Sequence, residues 1–125
     1  MSYRLVDSDA VDPTPDRPCE LRRLTDAAEL EQMAINRFRA DPGEQIPLVY
    51  HSHEKQEEAF FVLSGTLFVE TPDETFEVGE GCLFAVSPGD PQRAYNPEDA
   101  DAPVDVLAVG APNVSGDASA YEPEP

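Results

Sequence analysis

From residue 46 onward the chain is a run of short apolar segments, cut at close intervals by Gly, Pro, Asp and Ser. Residues 46–53, 58–63, 66–70, 75–78, 82–86, 92–95 and 104–109 each read as a strand. Ser64-Gly65, residues 71–74, Gly79-Glu80-Gly81 and residues 87–91 supply turn chemistry between them, and 96–103 reads as an acidic loop. A further strand is expected over 33–40, ended by Asp41-Pro42-Gly43. Helix is expected only where Thr25 precedes Asp26 and Glu29, as an N-cap to a turn or two. Many short strands with almost no helix predict an all-β class, an antiparallel sandwich or barrel. The 58–63 segment is apolar on both faces, as a strand between two layers needs. The 82–86 segment is continuously apolar and is expected to bury Cys82 as a small hydrophobe.

The flanks are different. Residues 1–32 read as an N-terminal arm: a short strand over 3–6, a proline-broken acidic stretch over 7–18, and an extended piece over 20–23. Residues 111–125 form an acidic, Pro-rich tail, expected to be largely unstructured apart from a docking role for Tyr121. Between them, 33–110 is the expected barrel, and 125 residues suit one domain. Cys19 and Cys82 show no C-x-x-C pattern, so a disulfide framework is not expected.

Charge narrows the function classes. The formal net charge is -18, from 26 acidic and 8 basic side chains. Nucleic acid and anionic membranes would both be repelled, so neither is an expected partner. No stretch approaches the ~20 apolar residues of a membrane span, and no secretory pattern opens the chain. A soluble, cytoplasmic protein is the expectation. Self-repulsion at this charge is relieved by salt, so the composition is that of a protein from a salt-rich, haloarchaeal-type cytoplasm. The competing reading is a solvated acidic surface without such adaptation.

Both histidines of the chain, His51 and His53, are separated by one residue. In an extended segment they share a face. Glu54, Glu57 and Glu58 follow at once. Two imidazoles and a carboxylate beside a buried strand have the composition of a divalent metal site. The competing reading is a polar loop with two solvated histidines ahead of a core strand.

His51-x-His53, then Glu58, then Gly65 resembles the first motif of the cupin superfamily. The segment from Gly79 through Pro88-Gly89 to Gln92 and Asn96 resembles the second. The resemblance covers roughly 33–110 and implies a double-stranded β-helix, a jelly-roll barrel with its site in the mouth, commonly assembled as a homodimer. It also implies a metal held by His51, His53 and Glu58, with Glu57 the runner-up for the acid. In the second motif a third histidine is usual, and here Gln92 stands in its place. Gln92 is then a fourth ligand, a hydrogen-bond partner of the ligands, or a substrate contact. Fe, Mn, Zn and Ni are all candidate ions, and no catalytic residue is assigned beyond the ligands.

Arg93 and Tyr95 alternate away from Gln92 and are expected to pack, while Asn96 reads as a turn former. Gly65 and Gly89 stand where turns favour positive φ. Three functions remain open at this stage. One is a metal-dependent enzyme on a small molecule, of dioxygenase or isomerase type. The others are a metal-free ligand-binding cupin and a purely structural role.

Overall fold

Apart from one helical turn α1 (Leu24–Ala27) and a 3-10 turn at Ser8–Ala10, the regular structure of the chain is β. This is a computed structural model and it describes residues 2–123. The strands are β1 (Glu20–Arg22), β2 (Ala34–Ala40), β3 (His51–His53), β4 (Glu57–Ser64), β5 (Leu67–Glu70), β6 (Thr75–Val78), β7 (Leu83–Val86), β8 (Arg93–Tyr95), β9 (Val104–Ala111) and β10 (Ala118–Ala120). One layer has the order β1-β2-β9-β4-β7, with each pair antiparallel. The other is made of β6-β5-β8 and β3-β10, joined by antiparallel bridges at Gln45↔Tyr95 and His51↔Gln92.

Period-two alternation decides what lies between the layers. On β4, Phe60 and Val62 point inward, meeting Ala108 and Val106 of β9 in register. Leu21, Phe38, Ala40 and Val104 join them from the same layer, and Leu67, Val69 and Ala94 close over them from the other. Among the described residues fourteen apolar side chains are buried, and both cysteines are free. At about 1.5–3 kcal/mol for each larger side chain, burial is therefore the main term opposing chain entropy and self-repulsion.

Two turns explain their residues. Gly65 has φ +79°, and a Cβ there would lie 2.5 Å from the Pro103 carbonyl oxygen. Only glycine lets β4 turn into β5 against that backbone. Gly89 has φ +88°, and its N–H donates to the His53 carbonyl at 2.6 Å, so the Pro88-Gly89 turn helps hold β3 in place.

Several expectations are revised. Residues 3–6 form no strand. Thr25 lies inside α1 and does not cap it. Its hydroxyl accepts from Ile35 N–H at 2.7 Å and donates to Ile35 O at 3.0 Å, tying the helix to β2. The strand expected over 46–53 shrinks to β3, because Gln45 turns inward on itself, donating to Pro47 O and Leu48 O at 2.8 and 3.0 Å. The second face of β4 is not covered: Phe61 and Leu63 are 38% and 42% exposed. Next to them β7 is an edge strand with Leu83 63% exposed, and Cys82, just before it, is exposed too. The tail is not wholly unstructured, since β10 pairs with β3 and Tyr121 packs on Tyr50 with ring centroids 4.9 Å apart.

Candidate metal centre

His51 and His53 occupy the two ends of β3, which is held on both sides. His51 and Gln92 exchange backbone hydrogen bonds of 3.2 and 2.8 Å, while β10 pairs Ala120 with His51 and Ala118 with His53. The alternation of β3 turns both imidazoles the same way, and their Nε2 atoms lie 3.2 Å apart. Glu58 reaches them from β4 in the opposite layer, its Oε1 3.1 Å from His53 Nε2 and 3.8 Å from His51 Nε2. Glu57 and Glu54 are exposed, as alternation requires of Glu57. Gln92 is 2% exposed, and its Nε2 donates to Glu58 Oε1 at 3.3 Å. The two layers thus meet at these four side chains.

The far side of the His51 imidazole settles its tautomer. His51 Nδ1 lies 3.0 Å from the Val49 carbonyl, which accepts only from an Nδ1–H. With its Nδ1–H given to that carbonyl, a neutral His51 carries a lone pair on Nε2. His53 Nδ1 is buried without a hydrogen-bond partner, and Asp117 Oδ2 lies 3.5 Å from it. Burial holds the His51 imidazole below its ordinary pKa and His53 lowers it further, against the opposing pull of Glu58 and the Val49 carbonyl. The neutral form that metal ligation needs is therefore favoured.

Three ligand-type atoms thus face one another, the two Nε2 atoms at hydrogen-bond distance. A triangle with sides of 3.1, 3.2 and 3.8 Å has its corners about 2.0 Å from a common centre, the bond length of a divalent ion to imidazole and carboxylate. The amide oxygen of Gln92 is buried and has no donor partner, so a further acceptor is on hand. His51, His53 and Glu58 can hold a metal ion.

Asp117 is the residue that sequence reading missed. Its carboxylate accepts from Lys55 N–H at 3.0 and 3.2 Å and from Gln56 N–H at 2.9 Å, besides facing His53. Burial raises its pKa, but the Gln56 and Lys55 N–H groups and His53 outweigh that and leave it lowered. The only signal was one more acid in an acid-rich tail. Asn96 proves a buried stitch rather than a turn former, donating to Ala40 O and Ala102 O at 3.1 and 2.9 Å. Arg93 and Tyr95 pack as expected, the guanidinium 4.2 Å above the ring and bonded to Glu70. Beside the centre lies a cavity of about 290 Å³, reached by His51, Glu58 and Gln92 and walled by Phe38, Phe60 and β10.

A family model described as a cupin domain matches residues 36–110. No curated protein matches the chain. Among solved structures, a sugar phosphate isomerase of the cupin superfamily from Silicibacter pomeroyi is 26% identical, with a TM-score of 0.75, over 86% of this chain and 75% of that one. A polyketide cyclase from Streptomyces resistomycificus is 21% identical, with a TM-score of 0.79, over 98% and 87%. A predicted oxalate decarboxylase from Thermotoga maritima is 18% identical, with a TM-score of 0.73, over 87% and 99%. The last two likenesses speak for the fold alone. The matched domain spans more than half of the chain, including β3, β4 and the segment carrying Gln92, and the chain belongs to the cupin family.

Proposed function

We propose that this cupin holds one divalent ion, Fe, Mn, Zn or Ni, between His51, His53 and Glu58, with Gln92 as the fourth protein ligand. The ion serves a reaction on a small molecule in the adjoining cavity. The observation that carries this reading is the convergence of two imidazole Nε2 atoms and a carboxylate oxygen, with the His51 Nδ1 proton committed to the Val49 carbonyl. When bound, such an ion supplies a Lewis acid that polarises a substrate oxygen, or a template that orients it. The chain's own part is to present the two Nε2 atoms and the Glu58 carboxylate together, to favour neutral His51 by burial, and to exclude water with apolar walls. The printed names of the similar structures span an isomerase, a cyclase and a decarboxylase, and a small-molecule substrate is what they have in common.

Titration calorimetry of chelator-treated protein with Mn(II), Fe(II), Zn(II) and Ni(II) tests this. One ion per chain is expected, reversed by chelator. A second reading, a metal-free binding cupin, draws on the Gln92–Glu58 hydrogen bond, which lets the group close on itself. It predicts no saturable uptake of any of the four ions.

The assembly belongs to the same proposal. The outer face of β4 and β7 carries Phe61, Leu63 and Leu83, and a second copy of the chain covers it in a homodimer. Sedimentation in molar KCl should give twice the chain mass, and Leu83→Asp should halve it. No helix among the described residues is long and apolar enough to cross a membrane. A salt-rich cytoplasm is the proposed setting.

A further inference from the structure

Arg17 is the one arginine or lysine in the cavity wall. Its Nε is buried without a hydrogen-bond partner, and among the described residues its side chain makes no ion pair. Of the eight basic side chains, Arg4, Arg23 and Lys55 also lack an ion pair among the described residues, but these three are exposed, whereas Arg17 is half-buried. Arg22, Arg37, Arg39 and Arg93 have each found a carboxylate. Nor is Arg17 on a loose arm. Thr14 N–H donates to Leu21 O at 2.8 Å, and Arg22 Nη1 donates to Val11 O at 2.6 Å, pinning the stretch on both sides of β1's start. Burial and the nearby Arg23 both press the guanidinium below its ordinary pKa, with Cys19 opposing. Arg17 is half-buried, and a guanidinium whose Nε is shut from water without a partner is costly to keep, so a ligand anion would complete it.

The rest of the wall narrows the ligand further. Phe38, Ile46, Leu48, Val49 and Phe60 present apolar surface. The polar groups are confined to His51, Glu58 and Gln92 at the candidate centre, Ser119 on β10, and Arg17 itself. A polyhydroxylated body such as a sugar would leave most of its hydroxyls facing hydrocarbon.

We propose that the cavity takes a small organic oxyanion, a carboxylate or a phosphate on an apolar body, with the anionic head on Arg17 and the body against Phe38, Ile46 and Phe60. The proposal builds on the metal-centre reading for the reacting end of the ligand, but the anion site stands on Arg17 alone. The guanidinium's planar fork matches both heads, and a charge-assisted bidentate pair is the strong kind of hydrogen bond.

The test is titration calorimetry of the full chain in molar KCl, once treated with chelator and once loaded with Mn(II). The probes are benzoate, phenyl phosphate and the neutral, similarly shaped benzamide. At least one anion is expected to bind about tenfold or more tighter than benzamide in both forms, and the tighter of the two names the head group. Arg17→Met should remove that preference, leave benzamide binding and manganese stoichiometry unchanged, and unfold at the same temperature as the wild type or higher. Arg17→Lys should keep most of the preference. Wild-type protein that treats the anions and benzamide alike, or binds none of them, overturns the proposal. So does anion preference surviving in Arg17→Met, or an Arg17→Met variant that melts earlier while still binding benzoate. Absence of manganese uptake with the anion preference intact would overturn the metal reading and leave the anion site standing.

Discussion

Asp117 anchors the backbone of Lys55 and Gln56 and faces His53 Nδ1 at 3.5 Å, so one carboxylate shapes the loop after β3 and stands against a candidate ligand. Asp117→Asn is expected to weaken manganese binding about 10- to 100-fold at unchanged stoichiometry, since partners of ligating histidines matter on that scale. An unchanged dissociation constant would remove Asp117 from the site. The cysteines separate as cleanly. Burial pushes the Cys19 thiol up to about 12, with Glu44 adding to it, whereas Cys82 is exposed. Because the thiolate is the reactive form, a disulfide exchange reagent at pH 8 should titrate one thiol in the folded protein and two in urea. At this scale the sequence was legible wherever spacing carries geometry. His51, His53 and Glu58 converge because their strands alternate with period two. Asp117 was not legible, because nothing local marks one acid in an acidic tail as the partner of a histidine 64 positions away.

The strands themselves follow the apolar runs and their turns, and β2, β4, β5, β6 and β9 fall within a residue or two of where the pattern puts them. Gly65 shows how firm a turn can be. Gly65→Ala is expected to cost about 1–3 kcal/mol from its positive φ alone, and more from the 2.5 Å approach to Pro103 O. Urea unfolding measures this, and a loss below about 0.5 kcal/mol would mean the turn rearranges freely. Errors at the element scale have a common cause. Burial depends on neighbours that the local pattern does not contain. The run 58–63 looks two-sided, yet one face of β4 is open because no described residue covers it. β10 looks like tail because three small residues carry no strand signal of their own. It exists because β3 offers it an edge and Asp117 and Tyr121 fasten its ends.

Across the whole molecule the net charge of -18 acts against the compact state, and no described ion pair relieves more than a local part of it. The thermal midpoint is therefore expected to rise steadily from millimolar to molar KCl as repulsion is screened. A midpoint that stays flat or falls would contradict the salt-rich setting. The barrel class was legible because strand number and turn spacing are global features of the sequence. The open apolar face and the cavity beside Arg17 emerge only once the layers are closed. The central claim is that the mouth of this barrel holds a metal, and elemental mass spectrometry tests it most directly, on untagged protein purified in molar salt alongside His51→Ala. The account predicts close to one equivalent of Fe, Mn, Zn or Ni in the wild type and a marked loss in the variant. Wild-type protein carrying no metal, and taking up none from solutions of the four ions, would contradict it.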